Sequence, residues 1–275
     1  MITCKLKGGL GNQLFQIFAV IAYSLRNKKN FKFLYSKQVE SITPRHSYWD
    51  SFLTSLKSFT LTTLPQMNIV NFKDFEYKEM TLIEDENVMF NGYFQSYKFF
   101  QDKQDDIYRL IRLQTQQKEC INKYNLDLSN TISMHFRIGD YKKLGFFHPI
   151  MGFDYYKNSL TSILSSCPPR PYKILYFCES EDNDIVLNII NELKGVFPVL
   201  VFEKASDEIE DWEQMLVMSS CEHNIIANSS FSWFGAYFNM NKEKIICYPD
   251  TWFCGSGSNI STDDLFPPLW KKIKC

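Results

Sequence analysis

In the second half of the chain, short strand-like runs of apolar and β-favouring residues alternate with helix-like stretches at a regular pitch. Runs at 131–136, 173–178, 198–202, 223–227 and 244–248 read as strands, and 155–164, 184–193, 208–219 and 231–240 as helices. That alternation predicts parallel βαβ units. The first half opens the same way, with a strand at 2–6, a glycine-containing loop, a helix at 13–26 and a strand at 31–35. Further on, 88–95 reads as a strand and 99–113 as a helix, while 40–87 shows no clear period. The polar run 114–129 is the predicted junction, giving domains 1–128 and 129–275. The expected architecture is α/β, with two Rossmann-like domains facing a central cleft. The most apolar stretch, 14–25, is broken by Gln16 and Ser24 and falls short of the ~20 residues that cross a bilayer.

Composition narrows this further. The 275 residues carry 30 basic and 31 acidic side chains, a net charge of −1, which lacks the footprint of a generic nucleic-acid binder. Hydrophobic residues make up 45%, enough for a full core. The eight cysteines form no CxxC pair, and Cys4, Cys178, Cys221 and Cys247 lie in or beside apolar runs, as free buried thiols do. His46, His135, His148 and His223 have no partner at metal spacing, and the N-terminus lacks a signal-peptide pattern. The expectation is a soluble cytoplasmic protein with no metal, nucleic-acid partner or membrane span.

Open parallel sheets bind ligands beyond the carboxyl ends of their strands, so chemistry is sought in the loops that follow strands. The first is Gly8-Gly9-Leu10-Gly11-Asn12-Gln13, holding three of the chain's 11 glycines. Its spacing matches neither a dinucleotide fingerprint nor a Walker A loop. It reads as a tight turn or as a backbone cradle for a ligand, with Asn12 and Gln13 either capping the helix or binding. The second loop holds His135 and Arg137 on one side of a strand end, with Phe136 on the other, followed by Asp140. Arg137 suits a phosphate through its bidentate fork, or forms an ordinary salt bridge with Asp140. The third loop, Asn228-Ser229-Ser230-Phe231, is a helix N-cap and also a way to hold phosphate without lysine. A fourth feature, Asp182-Asn183-Asp184, has the form of a metal-holding acidic pair, or simply of a helix start.

Together these loops resemble the α1,2-fucosyltransferases of glycosyltransferase family 11. KGGLGNQLFQ at 7–16 resembles the family's opening motif and NGYFQSYKFF at 91–100 its mid-chain segment. HFRIGDY at 135–141 resembles the HxRRGDY motif shared with α1,6- and protein O-fucosyltransferases, and MSSCEHNIIANSSFSWFGA at 218–236 the family's long C-terminal signature. The resemblance implies a GT-B fold with an acceptor-side N-terminal domain and a donor-binding C-terminal domain. It implies GDP-fucose as donor, a galactose-containing glycan as acceptor, inversion at the fucose anomeric carbon and no metal or other cofactor. Arg137 falls on the arginine that grips the donor diphosphate and His135 on a nucleotide-contacting histidine. Asn228, Ser229, Ser230 and Phe231 fall on the segment that meets the β-phosphate, and Gly9, Gly11 and Asn12 on the loop facing the fucose. Glu179 is a candidate contact for guanine or ribose. Asp140 either takes the acceptor's proton or orients Arg137.

Three positions depart from the family pattern. Ile138 replaces a frequent second arginine, Phe234 a second tryptophan, and Cys178-Glu179-Ser180 a frequent Ser-Asp-Asp. The competing readings are transfer to another position or to protein, a metal-dependent glycosyltransferase using Asp182 and Asp184, and a binding protein that has lost catalysis. Trp49, Tyr93, Phe94, Phe146, Phe147 and Trp252 are candidate sugar-stacking aromatics, with core packing as the alternative.

Overall fold

A computed structural model describes residues 1–39, 45–72 and 76–275. It separates into two units, Met1–Thr115 with Ser261–Pro267, and Gln116–Ile260 with Pro268–Cys275.

The first unit contains β1 (Ile2–Cys4), α1 (Leu10–Arg26), β2 (Phe33–Leu34), β3 (Gln38–Val39), β4 (Arg45–His46), β5 (Thr60–Leu61), β6 (Asn68–Asn71), β7 (Val88–Asn91) and α2 (Gln104–Leu110). Strands β1, β7 and β6 form a parallel sheet in that order, β2 pairs with β5, and β3 with β4. Helix α1 is apolar on all sides, and residues from Leu14 to Tyr23 are buried without interruption.

The predicted helix 99–113 is broken. Two short 3₁₀ turns, Tyr97–Phe99 and Gln101–Lys103, precede α2. Arg112, at φ 54°, then separates α2 from α3 (Leu113–Lys123). Much of the polar run 114–129 is therefore helix. It is polar because only one side is covered. Gln117 Nε2 donates to Ser219 Oγ at 2.8 Å, while Lys123 Nζ and the Tyr124 hydroxyl donate to Glu213 at 2.8 and 2.6 Å. These bonds attach the run to the second unit, so the division falls at Thr115 and Gln116 where the sequence suggested 128 and 129.

The second unit contains β8 (Thr131–His135), α4 (Phe153–Ser166), β9 (Lys173–Phe177), α5 (Asn183–Val196), β10 (Val201–Lys204), α6 (Asp211–Ser220), β11 (His223–Ile225), α7 (Ser230–Tyr237), β12 (Ile246–Pro249) and β13 (Lys271–Ile273). All six strands are parallel, in the order β10-β9-β8-β11-β12-β13. This is the doubly wound Rossmann order, growing outward in both directions from β8. Strand β8 is buried at every position, as expected for a central parallel strand covered on both faces. Ile132, Met134, Ile174 and Tyr176 pack with Leu160 and Ile163 of α4 and Val186 and Ile190 of α5 in one core. Strand β13 escaped the sequence reading because Lys271-Lys272-Ile273 is too short and basic to register as an apolar run.

All eight cysteines are unpaired. Among the described residues, no helix is long and apolar enough to cross a membrane.

A buried amide network ties β8, β11, α6 and the end of α7 together. Asn224 Nδ2 donates to Ser133 Oγ at 2.7 Å and to the Met218 carbonyl at 2.8 Å. Asn239 Nδ2 donates to Asn224 Oδ1 and to the Cys221 carbonyl, each at 2.8 Å. Asn239→Leu strips the partner from two buried acceptors. It should destabilise the protein by ~2–4 kcal/mol, read as a shift of the urea midpoint. A shift no larger than that of Met240→Gln, on the exposed neighbour, would show the network to be dispensable.

Candidate functional site

The strand order reverses between β8 and β11, and there the loops after the two strands part. His135 ends β8. Phe136 packs into the core 4.2 Å from the Tyr156 ring, and Ile138 is buried in the same core, so the intervening Arg137 is turned the other way. The guanidinium is held by two carboxylates, Asp140 from its own loop and Glu179 from the loop after β9. It also lies 5.1 Å over the Tyr141 ring.

Gly139 makes this meeting of loops sterically feasible. A Cβ there would lie 2.6 Å from Glu179 Oε2, and the backbone has φ +22°. Its N–H donates to Asp182 Oδ2 at 2.7 Å, and Lys142 Nζ lies 2.6 Å from the other oxygen of that carboxylate. Asp182 is almost wholly buried, whereas Asp184 is exposed. The acidic pair therefore does not face one point. Asp182 is a tether for the 139–142 turn. Among the described residues, no group of three or more His, Cys, Asp or Glu side chains is placed to hold a metal.

The loop after β11 approaches the same region. Asn228 is buried; its Nδ2 donates to the carbonyls of Pro149 at 2.9 Å and Trp252 at 3.2 Å. Its own carbonyl accepts from the Tyr141 hydroxyl at 3.0 Å, joining the two loops. Ser229 caps α7, its Oγ accepting from the Phe231 N–H at 3.3 Å. The Phe231 ring lies 5.6 Å from that of His135, and Ser230 opens α7 partly exposed.

His135 Nδ1 and Asn228 Oδ1 are buried here and lack a hydrogen-bond partner. Folded proteins pair most such atoms, because leaving one unpaired costs ~1–3 kcal/mol. Burial, aided by the Arg137 charge, pushes the His135 pKa down to about 3, so the imidazole is neutral and offers one donor and one acceptor.

The second unit thus gathers His135, Arg137, Asp140, Glu179, Asn228, Ser229, Ser230 and Phe231. Gly9, Gly11 and Asn12 belong to the first unit and have their own setting. Gly8, at φ +76°, would place a Cβ 2.6 Å from Asn12 Nδ2, whereas open space surrounds Gly9. Gly11 is buried in the first turn of α1, and Gly9 caps that helix without a side-chain bond. Gln13 Nε2 donates to the carbonyls of Gly8 at 3.0 Å and His46 at 2.9 Å. Gln16 bonds Lys7 in both directions, and Asn12 Oδ1 accepts from Gln95 Nε2 at 2.8 Å. The amides here are chiefly loop fasteners, and they bring the 7–16 and 91–100 segments together.

Two residues near Arg137 received no role from the sequence, Tyr141 and His148. Their rings stack at 4.4 Å. Tyr141 stood inside HFRIGDY, but only its contact with Arg137 gives it a part; His148 had no neighbouring pattern to mark it. Among the proposed sugar-stacking aromatics, Trp49, Phe94 and Trp252 are core residues, while Tyr93 and Phe146 are exposed. Phe234 is buried among Trp233, Tyr237 and Phe238, so that departure from the family pattern is a matter of packing.

Two curated proteins of Escherichia coli are similar over nearly the whole chain. The O-antigen biosynthesis glycosyltransferase WbnK is 25% identical, covering 96% of this chain and 98% of that one. An alpha-1,2-colitosyltransferase is 24% identical, covering 100% and 99%. Among solved structures, the chain is similar to a family 9 glycosyl transferase from Veillonella parvula, at 9% identity over 99% of this chain and 86% of that one, with a TM-score of 0.48. The profile of glycosyl transferase family 11 matches residues 1–273, and the chain belongs to that family.

Proposed function

We propose that this family 11 glycosyltransferase is an inverting, metal-independent α1,2-fucosyltransferase. It moves fucose from GDP-fucose to the 2-hydroxyl of a terminal β-galactoside. The observation that carries the reading is the convergence of Arg137, the capped start of α7 and two unpartnered buried polar atoms where the strand order reverses. That is where a doubly wound sheet binds a nucleotide. The α1,2 linkage is further supported by the name of the colitosyltransferase relative. The same name favours a second reading, in which the sugar moved is a colitosyl group.

In this reaction the acceptor hydroxyl attacks the anomeric carbon from the face opposite the departing diphosphate. Negative charge grows on the β-phosphate as the bond breaks. Arg137 meets it with a two-pronged donor, and the Ser229–Phe231 segment meets it with its hydroxyls and the positive end of α7. His135 and Asn228 offer their unpaired atoms to the nucleotide. Asp140 orients Arg137 through their ion pair; taking the acceptor's proton is the second role open to it.

Three experiments test this. Arg137→Ala should lower turnover by roughly 10²–10³, and Arg137→Lys should recover little because a point charge cannot replace the fork. Turnover close to wild type in either variant would take Arg137 out of the mechanism. Activity should survive excess EDTA, and Asp184→Asn should behave as wild type. Asp182→Asn should instead lower the melting temperature, since it weakens the hold on Lys142 and the Gly139 N–H. Loss of activity on chelation, restored by Mn²⁺, would sink metal independence.

The donor and acceptor are tested together. GDP should raise the melting temperature more than UDP at equal concentration, by ligand linkage. Supplying GDP-fucose or the corresponding colitosyl nucleotide with N-acetyllactosamine, then analysing the product by methylation, distinguishes the two donors. A product linked away from the galactose 2-hydroxyl would overturn the α1,2 assignment.

A further inference from the structure

Arg137 is held in two different ways. Its N–H edge is engaged by Asp140 and Glu179, and its guanidinium carbon lies 5.1 Å over the Tyr141 ring. The two differ in what they leave free. A diphosphate that takes the two N–H donors held by Asp140 and Glu179 must displace their oxygens. The contact with the ring uses the guanidinium face and competes for no donor.

The ring itself is fixed. The Tyr141 hydroxyl donates to the Asn228 carbonyl at 3.0 Å. His148 stacks against the ring with centroids 4.4 Å apart and planes 10° apart. His148 is in turn fastened by its N–H to the Leu144 carbonyl at 3.0 Å and packs against Phe147 at 4.8 Å and Phe253 at 5.5 Å. Phe147 is braced from its other side of the chain, since Cys254 N–H donates to its carbonyl at 2.9 Å and a Cβ on Gly257 would lie 2.8 Å from its ring.

His148 has no bond that explains an imidazole at this place, since Nδ1 is buried without a partner. Burial holds its pKa down to about 4, with Asp140 pulling it up and Arg137 pushing it down. The stacked ring is therefore uncharged. A charged one would draw electron density from Tyr141 and repel the guanidinium.

We propose that Tyr141 and His148 are positioning residues, a ring stack that fixes the plane of Arg137 while its N–H donors pass from carboxylate to the donor's diphosphate. This rests on the reading of Arg137 as the diphosphate ligand. The stack's contribution concerns phosphate and not the base, so it should scale alike for whichever nucleotide binds.

The test is calorimetric titration of GDP, UDP and ADP into wild type, Tyr141→Phe, Tyr141→Leu, His148→Phe and His148→Ala, with melting temperatures and donor and acceptor KM for each. His148→Phe keeps both stacked rings and should stay within about threefold of wild type, whereas Tyr141→Phe keeps the ring but loses its bond to the Asn228 carbonyl and should fall between wild type and Tyr141→Leu. Tyr141→Leu should weaken nucleotide binding by about tenfold, and His148→Ala by about fivefold. The losses should appear in donor KM and kcat, with acceptor KM unmoved. Folded Tyr141→Leu or His148→Ala with wild-type nucleotide affinity would overturn the proposal, as would His148→Phe falling as far as His148→Ala. If Tyr141→Leu does not fold, His148→Ala decides. Wild type that binds UDP in preference to GDP, with the same pattern among the variants, would overturn the fucosyl donor and keep the stack. Wild type that binds none of the three nucleotides would overturn both.

Discussion

A parallel sheet that grows outward in both directions from its first strand must part its loops beside that strand. This constraint organises the second unit. Strands β9 and β10 lie to one side of β8, and β11, β12 and β13 to the other. The chain leaving β8 therefore has a gap beside it that no crossover fills. The groups suited to a ligand collect there. Two loops are tied by the Tyr141 hydroxyl, a third arrives with Glu179, and an arginine is left partly uncovered between acids. His135 Nδ1 and Asn228 Oδ1, buried without partners, lie where the topology leaves room for a ligand.

The parts of this arrangement that were legible in the sequence were those whose environment is uniform. Strand β8 is covered on both faces, and 131–136 was readable as a short β-rich run, while α1 was readable because it is apolar nearly all round. Arg137, Asp140 and Ser229 were legible because they follow strands directly. What stayed hidden depends on a partner far away in the chain. Helix α3 is polar by composition and becomes intelligible only with Glu213 some 90 residues on, where a buried carboxylate takes Lys123 and Tyr124. Strand β13 is defined by pairing with β12 and by nothing in its own three residues. His148 has no pattern around it; its meaning comes from the ring it lies against.

The amides of the opening motif show a related limit. Asn12, Gln13 and Gln16 read equally well as ligand groups or as fasteners, because an amide does either. The structure uses them to fasten a loop that glycine allows to bend, and Asn12 meets Gln95 across 83 positions of chain. Spacing alone carries no sign of which partner an amide will find.

Asp182 carries a consequence for redesign. Its carboxylate serves two masters at once, the Gly139 N–H and the Lys142 ammonium, from a position with almost no access to water. A divalent cation recruited to the acidic run would have to take those oxygens, and the turn that presents Arg137 would lose its anchor in the same step. Introducing a cation site there is therefore not a matter of adding a third acid beside Asp184. It begins with a new anchor for residues 139–142, and only after that is the carboxylate free to change its employment.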